Sequence, residues 1–196
     1  MQRALFPLNA LLCPGGRLPL RVFESRYLDM VRDCLRNDVG FVVVLLKEGE
    51  ETSWGDQAFY KTGTLAKVVD FDQGEDGFLH VVAEGQQQVA IADTAQKENG
   101  LWEASVIVIE DAGDEEDFVA VPHQYEDLAS VLKALVQHPM VVDLNLTIDF
   151  DDCRQVGWRL AELLPLDNSE KQYLFELNDP VFRLEKISDQ LNRLAM

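Results

Sequence analysis

Hydrophobic residues in the first half of the chain recur mostly at every second position, in short runs separated by turns. In 101–109, Trp102, Ala104 and Val106 alternate with polar neighbours, which is typical of a strand with one buried face. The longest unbroken apolar run, Phe41–Leu46, is far shorter than the ~20 residues of a membrane helix, and it predicts a buried strand. The predicted strands are 4–8, 17–22, 40–47, 63–72, 78–84, 87–92 and 101–109.

One helix interrupts these strands, because the apolar spacing changes from two to between three and four after Glu24. Its predicted buried face is made of Tyr27, Leu28, Val31, Cys34 and Leu35. Its predicted exposed face is charged and is made of Arg26, Asp29, Arg32, Asp33 and Arg36. Asn37 and Gly40 stand where this helix is expected to end.

The second half of the chain has a helical period, and an acidic segment separates it from the first half. Residues 110–117 are almost all acidic or small, which predicts a solvated loop. Three apolar stripes follow, and they are expected to belong to helices around 128–135, 156–164 and 184–194. Asp167 with Glu170 has the spacing of a capping box, and Asp179-Pro180 predicts a further helix start. The prediction is an α+β protein with a β-rich subdomain at 1–112 and a helical bundle at 118–196.

Four blocks of sequence, in a characteristic order and spacing, carry a resemblance to a known family. They are Leu5-Phe6-Pro7-Leu8 with Pro14-Gly15-Gly16 and 18–27; Gly63–Val68; Glu84-Gly85; and Leu163-Leu164-Pro165-Leu166 with 169–172, Asn178-Asp179-Pro180 and Arg183-Leu184. Together they resemble the substrate-binding N-terminal domain of the Lon protease family, over nearly the whole chain.

The resemblance implies a fold and a function. The β part is expected to be a six-stranded, PUA-like pseudo-barrel with one helix, followed by a C-terminal helical bundle. Because the chain reaches Met196 without the ATPase and peptidase parts of such proteases, a stand-alone, ATP-independent recognition module is expected. The implied partners are unfolded or client proteins and peptides, with a separate protease as a further candidate.

The charge of the chain limits its partners. The formal net charge is −18, which argues against nucleic acid and against an anionic membrane surface. The charge is uneven, since residues 1–47 carry seven basic and four acidic side chains. Three cysteines lie far apart without a CxxC pair, so a cytoplasmic protein without a disulfide framework is expected.

No catalytic or metal-binding motif is visible in the sequence. There is no GxSxG elbow and no phosphate-binding GxxxxGK[ST] loop. The three histidines have no metal-ligand spacing. The prediction is therefore a non-enzymatic protein with no cofactor and no metal.

The candidate binding residues are chosen by position and residue type. They are Arg21, Phe23, Glu24 and Arg26 at the start of the first helix, and Trp54 in the polar 47–62 loop. Trp54 is included because a large ring in a polar loop has no periodic reason to be buried. These residues and a groove between the two subdomains are expected to contact apolar client segments. The alternatives are a small-molecule-binding protein or a hydrolase that acts in that groove.

Overall fold

A sheet of seven strands organises the first part of the chain. The computed structural model describes residues 1–52, 57–74, 76–109 and 118–194. The chain divides into two units, Met1–Ile109 and Glu110–Met196. The first unit contains β1 (Gln2–Leu8), β2 (Arg17–Val22), α1 (Ser25–Asn37), β3 (Phe41–Glu48), β4 (Ala58–Phe59), β5 (Thr62–Gln73), β6 (Leu79–Gln96) and β7 (Trp102–Val108).

Strand pairing closes most of this sheet into a ring. The order is β1-β7-β6-β5-β3-β4, and β1 also pairs in parallel with β3. β2 pairs with the first half of β6 only, from Leu79 to Glu84. The described residues therefore form an α+β fold with a sheet of seven strands, whereas the resemblance implied six. β4 was not among the strands predicted from the pattern, because its two residues are too few to show a period.

β6 is one long strand, so the prediction of two strands at 78–84 and 87–92 was wrong. β6 continues through Gly85, whose N–H donates to the Gly16 carbonyl over 2.9 Å. A β-carbon at Gly85 would collide with the carbonyl of Cys13. Glycine is therefore required here for close backbone approach and not for a turn.

Two apolar clusters lie on opposite faces of β3. Phe41 and Val43 belong to one cluster, whereas Val42 and Val44 belong to the other. This alternation is the period of a strand that is buried on both faces, and it confirms the prediction for the Phe41–Leu46 run.

α1 packs its apolar side on the first of these clusters, through Tyr27, Met30, Val31 and Cys34. Two positions on this helix differ from the prediction. Leu35 is exposed and Arg26 is buried, because Arg26 finds polar partners that a helical pattern does not reveal.

The second unit is helical. It contains α2 (Glu126–Leu135), α3 (Pro139–Val142), α4 (Cys153–Leu163), α5 (Asn168–Glu176) and α6 (Pro180–Leu194), with a 3-10 turn at His123–Tyr125. The predicted capping box of Asp167 and Glu170 is present at α5. The predicted cap of α6 is also confirmed, since Asp179 Oδ1 accepts hydrogen bonds from the N–H groups of Val181 and Phe182.

The core of this unit is formed mainly by α4, α5 and α6, which contact one another. Fully buried apolar side chains include Leu132, Val156, Leu160, Leu174, Phe175, Leu184 and Ile187. In the described part of both units, no helix combines the length and the apolar character needed to cross a membrane.

Candidate functional site

The predicted binding residues lie where β2 ends and α1 begins. Arg21 is in β2, Phe23 and Glu24 form the connection, and Arg26 is in the first turn of α1. Four of the five predicted residues are therefore close together along the chain. The fifth, Trp54, lies outside the described residues.

Arg26 is a buried anchor between three segments. It is only 3% exposed. Its Nε and Nη2 atoms lie 2.9 and 2.8 Å from Glu24 Oε2. Its guanidinium also donates to the carbonyls of Gly100, over 2.9 Å, and Glu51, over 3.4 Å. Burial of the charge is tolerated because the guanidinium is both ion-paired and hydrogen-bonded. The assignment of Arg26 to the exposed face of α1 was therefore wrong.

Beside this anchor is a pocket of about 300 Å³. The lining residues from β1, β2, α1 and the segment after β3 are Phe6, Leu8, Ala10, Leu18, Pro19, Leu20, Arg21, Val22, Phe23, Glu24, Tyr27, Glu51 and Thr52. Most of the apolar members are buried core side chains. Three of the predicted residues, Arg21, Phe23 and Glu24, are therefore brought together around one cavity.

Arg21 lies between this pocket and a second depression. Its guanidinium carbon is 3.9 Å from the ring centroid of Phe78, and its Nε is 3.2 Å from Asp76 Oδ2. The second depression has a volume of about 220 Å³ and shares Pro19, Leu20 and Arg21 with the first. Phe71 also lines it, so two apolar hollows adjoin along β2.

Two phenylalanines near these hollows are exposed to solvent. Phe23 is 53% exposed and packs edge-on against Phe78, with the ring centroids 5.8 Å apart. Phe71 is 55% exposed. Exposed aromatic side chains beside an apolar hollow are characteristic of surfaces that contact another molecule.

Local contacts and burial shift the pKa values of two titratable groups near the hollows, Asp76 and Tyr27. The N–H of Phe78 lowers the pKa of Asp76, with smaller contributions from His80 and from the charge of Arg21. Burial raises the pKa of Tyr27 to about 12, so its phenol group is neutral at physiological pH.

The pocket has an apolar base of buried side chains, with the charged side chains of Arg21, Glu24 and Glu51 along its lining. Among the described residues, no group of three or more His, Cys, Asp or Glu side chains is arranged to hold a metal ion. Because its pKa is raised, the phenol group of Tyr27 keeps its proton at neutral pH and can donate a hydrogen bond.

Sequence reasoning missed Phe71, Tyr27 and Glu51 as members of this site. Phe71 had a usable signal, since it stands between Asp70 and Asp72 and an aromatic residue between two acids fits poorly in a core. Tyr27 was predicted on the buried face of α1, and its place in the pocket depends on β1 and β2. Glu51 had no signal in the sequence.

By fold and site, the protein is an α+β protein with a mostly closed sheet, an apolar pocket on its first unit and helices in its second. The family model described as the ATP-dependent protease La (LON) substrate-binding domain matches residues 2–193, and the chain belongs to this family. The match is to the substrate-binding domain, and no catalytic domain is matched.

Curated relatives are full proteases of which this chain matches a small part. Lon protease 2 of Myxococcus xanthus is 26% identical over 188 residues, which cover 94% of this chain and 22% of that protein. The Lon protease of Anaeromyxobacter dehalogenans is 25% identical, with the same coverage. The chain thus spans about a fifth of the length of these relatives.

Solved structures match the whole fold. A Lon N-terminal domain protein from Xanthomonas campestris has a TM-score of 0.76 and 33% identity, covering 96% of this chain and 98% of that one. The N-terminal domain of a Mycobacterium avium complex Lon protease has a TM-score of 0.63 at 15% identity, and it supports the fold alone.

Proposed function

We propose that this protein recognises unfolded or client polypeptides through the pocket beside β2, without cleaving them. The observation that carries the proposal is the 300 Å³ hollow with buried apolar side chains, flanked by the exposed Phe23. Membership in a substrate-binding family supports the same class of ligand.

Within this proposal the predicted residues have different roles. Phe23 contacts apolar client side chains, and Arg21 and Glu24 contribute charge at the pocket. Arg26 acts by positioning, because its guanidinium fixes Glu24 and the backbone of Glu51. We extend the proposed site to Trp54, which follows the lining residue Thr52 closely in sequence.

A role in proteolysis follows as a further part of the proposal. A client binder of this kind would hand polypeptides to a separate protease, or hold them for it. We propose a cytoplasmic location, which the three buried cysteine side chains support because buried thiols fit a reducing compartment.

The proposal is tested by binding of a permanently unfolded protein. We expect labelled lysozyme, reduced and carbamidomethylated, to bind the intact chain in fluorescence anisotropy. Phe23→Ala and Phe71→Ala should each weaken binding about fivefold, because truncating a contact aromatic costs roughly 1 kcal/mol or more. The labelled protein should remain intact on a gel after prolonged incubation.

Phe118→Ala is the matched control, because Phe118 is 58% exposed in the second unit and loses the same ring. Its affinity should equal that of the wild type. Equal effects of all three substitutions would contradict the placement of the site. Absence of any binding would contradict the proposed function.

A further inference from the structure

β2 uses only one of its two edges for pairing among the described strands. It pairs with β6, in a register that places Pro19 opposite Val82. Proline has no N–H, so this pair cannot be one that exchanges two hydrogen bonds. The bonded pairs must be the neighbouring ones, Leu18 with Ala83 and Leu20 with Val81.

The backbone N–H and C=O groups of successive β2 residues point in alternate directions, and the position of Pro19 shows which residues direct theirs to β6. Since Leu18, Leu20 and Val22 turn their N–H and C=O groups to β6, those of the intervening residues point the other way. Within the described residues, the N–H and C=O of Arg21 and the C=O of Pro19 have no hydrogen-bond partner. These groups form an unpaired strand edge.

The pocket runs along this edge. Every residue from Leu18 to Glu24 lines it, whereas the face of a strand would contribute only every second residue. From β1, by contrast, Phe6 and Leu8 contribute as alternate residues of one face. The hollow is thus bounded by a strand edge on one side and by apolar side chains on the other.

We propose that the client is bound as an extended strand added to the free edge of β2. Its backbone pairs with Arg21 and Pro19, and apolar side chains at alternate positions enter the hollow. Backbone pairing explains how one site accepts clients of differing sequence, since every peptide offers the same N–H and C=O groups.

The charged residues near β2 determine which residues are favoured on either side of the bound client segment. Asp70 and Asp72 line the second hollow together with Arg21, and Glu51 lines the first. Since Arg21 is already ion-paired with Asp76, the surface along β2 is acidic. The preferred client is an extended apolar segment with basic residues beside it.

This inference rests on the proposed function. Methylation of the client's backbone N–H groups tests strand addition separately from client recognition as such. The probe is the peptide acetyl-Lys-Thr-Val-Thr-Leu-Thr-Val-Thr-Lys-amide, measured by calorimetry with the intact chain. One version carries N-methyl groups on the Val and Leu residues, and another carries them on the Thr residues. If the peptide is added as a strand, the N–H groups of only one of these two sets of residues face β2.

We expect one methylated peptide to bind about tenfold or more weakly and the other to stay within about threefold of the parent, because each lost backbone hydrogen bond weakens affinity. Equal affinities of all three peptides would overturn strand addition but leave recognition intact. If neither the peptides nor unfolded lysozyme bound, both proposals would fail.

A matched pair of protein variants tests the same edge. Arg21→Ala keeps the backbone N–H, whereas Arg21→Pro removes it from the side of β2 that faces away from β6. Both variants lose the side-chain charge of Arg21, so Arg21→Ala is the reference, and Arg21→Pro should bind the peptide about tenfold more weakly than Arg21→Ala. Equal affinities of both Arg21 variants, at unchanged melting temperature, would contradict the proposal.

Discussion

Tyr27 places a phenol group in the core of the first unit, and its ionisation is therefore coupled to folding. Burial raises its pKa from 10.0 to about 12. For an acid, a raised pKa means that the folded state favours the neutral form. This contribution to the free energy of unfolding is complete below pH 10 and is lost as the pH rises towards 12. The total loss is about 2–3 kcal/mol.

We predict that Tyr27→Phe leaves the free energy of unfolding at pH 7 nearly unchanged and reduces its loss above pH 10. Urea unfolding across this pH range measures both effects. The remaining alkaline loss is assigned to Cys34 and Cys153, whose pKa values burial raises to about 11 and about 12. Tyr173→Phe, at an exposed position, should retain the full loss. Identical pH profiles of wild type and Tyr27→Phe would refute the coupling.

At the scale of elements, the two-residue sequence Asp179-Pro180 sets the start of α6. Asp179 Oδ1 is 2.8 Å from the N–H of Val181 and 3.0 Å from that of Phe182. Pro180 occupies the first helical position, where a missing N–H has no cost. The helix that this cap begins contributes Leu184 and Ile187 to the core.

We predict that Asp179→Ala lowers the free energy of unfolding by about 1 kcal/mol, because two N–H groups lose their acceptor. Chemical denaturation measures the change. Asp189→Ala removes the same charge later in α6, where its contact with Lys186 is exposed, and should cost less than about 0.5 kcal/mol. The cap would have no special role if both variants lost the same stability.

At the scale of the whole molecule, the dominant property is the negative charge. The first unit carries ten basic and sixteen acidic residues, and the rest of the chain accounts for most of the net −18. Such a field accelerates the approach of basic polypeptides and slows that of acidic ones. Salt screens it over a distance of about 10 Å at 0.1 M.

We predict that the association rate of unfolded lysozyme, a basic client, falls about tenfold as salt rises from about 0.02 to about 0.5 M, because screening removes the steering. Stopped-flow fluorescence measures this rate. Unfolded α-lactalbumin, similar in size but acidic, is the matched client and should show a rate that rises with salt. Equal salt responses of the two clients would show that charge does not steer binding.

The sequence alone determined the features that depend on neighbours along the chain. The period of apolar residues predicted the strands and helices, and the spacing of Asp167 with Glu170 predicted a cap that the structure contains. The α+β class follows from the same patterns. These signals are local, so no knowledge of distant contacts was needed to find them.

The tertiary structure decided what depends on contacts between distant segments. Arg26 has the charge of an exposed residue but is buried, because Gly100 and Glu51 supply carbonyls from far along the chain. Gly85 has the character of a turn residue but continues β6, because Cys13 approaches it. The pocket beside β2 exists only where β1, β2 and α1 meet. Long-range packing sets these features, since a side chain's burial is determined by the partners that the fold brings to it.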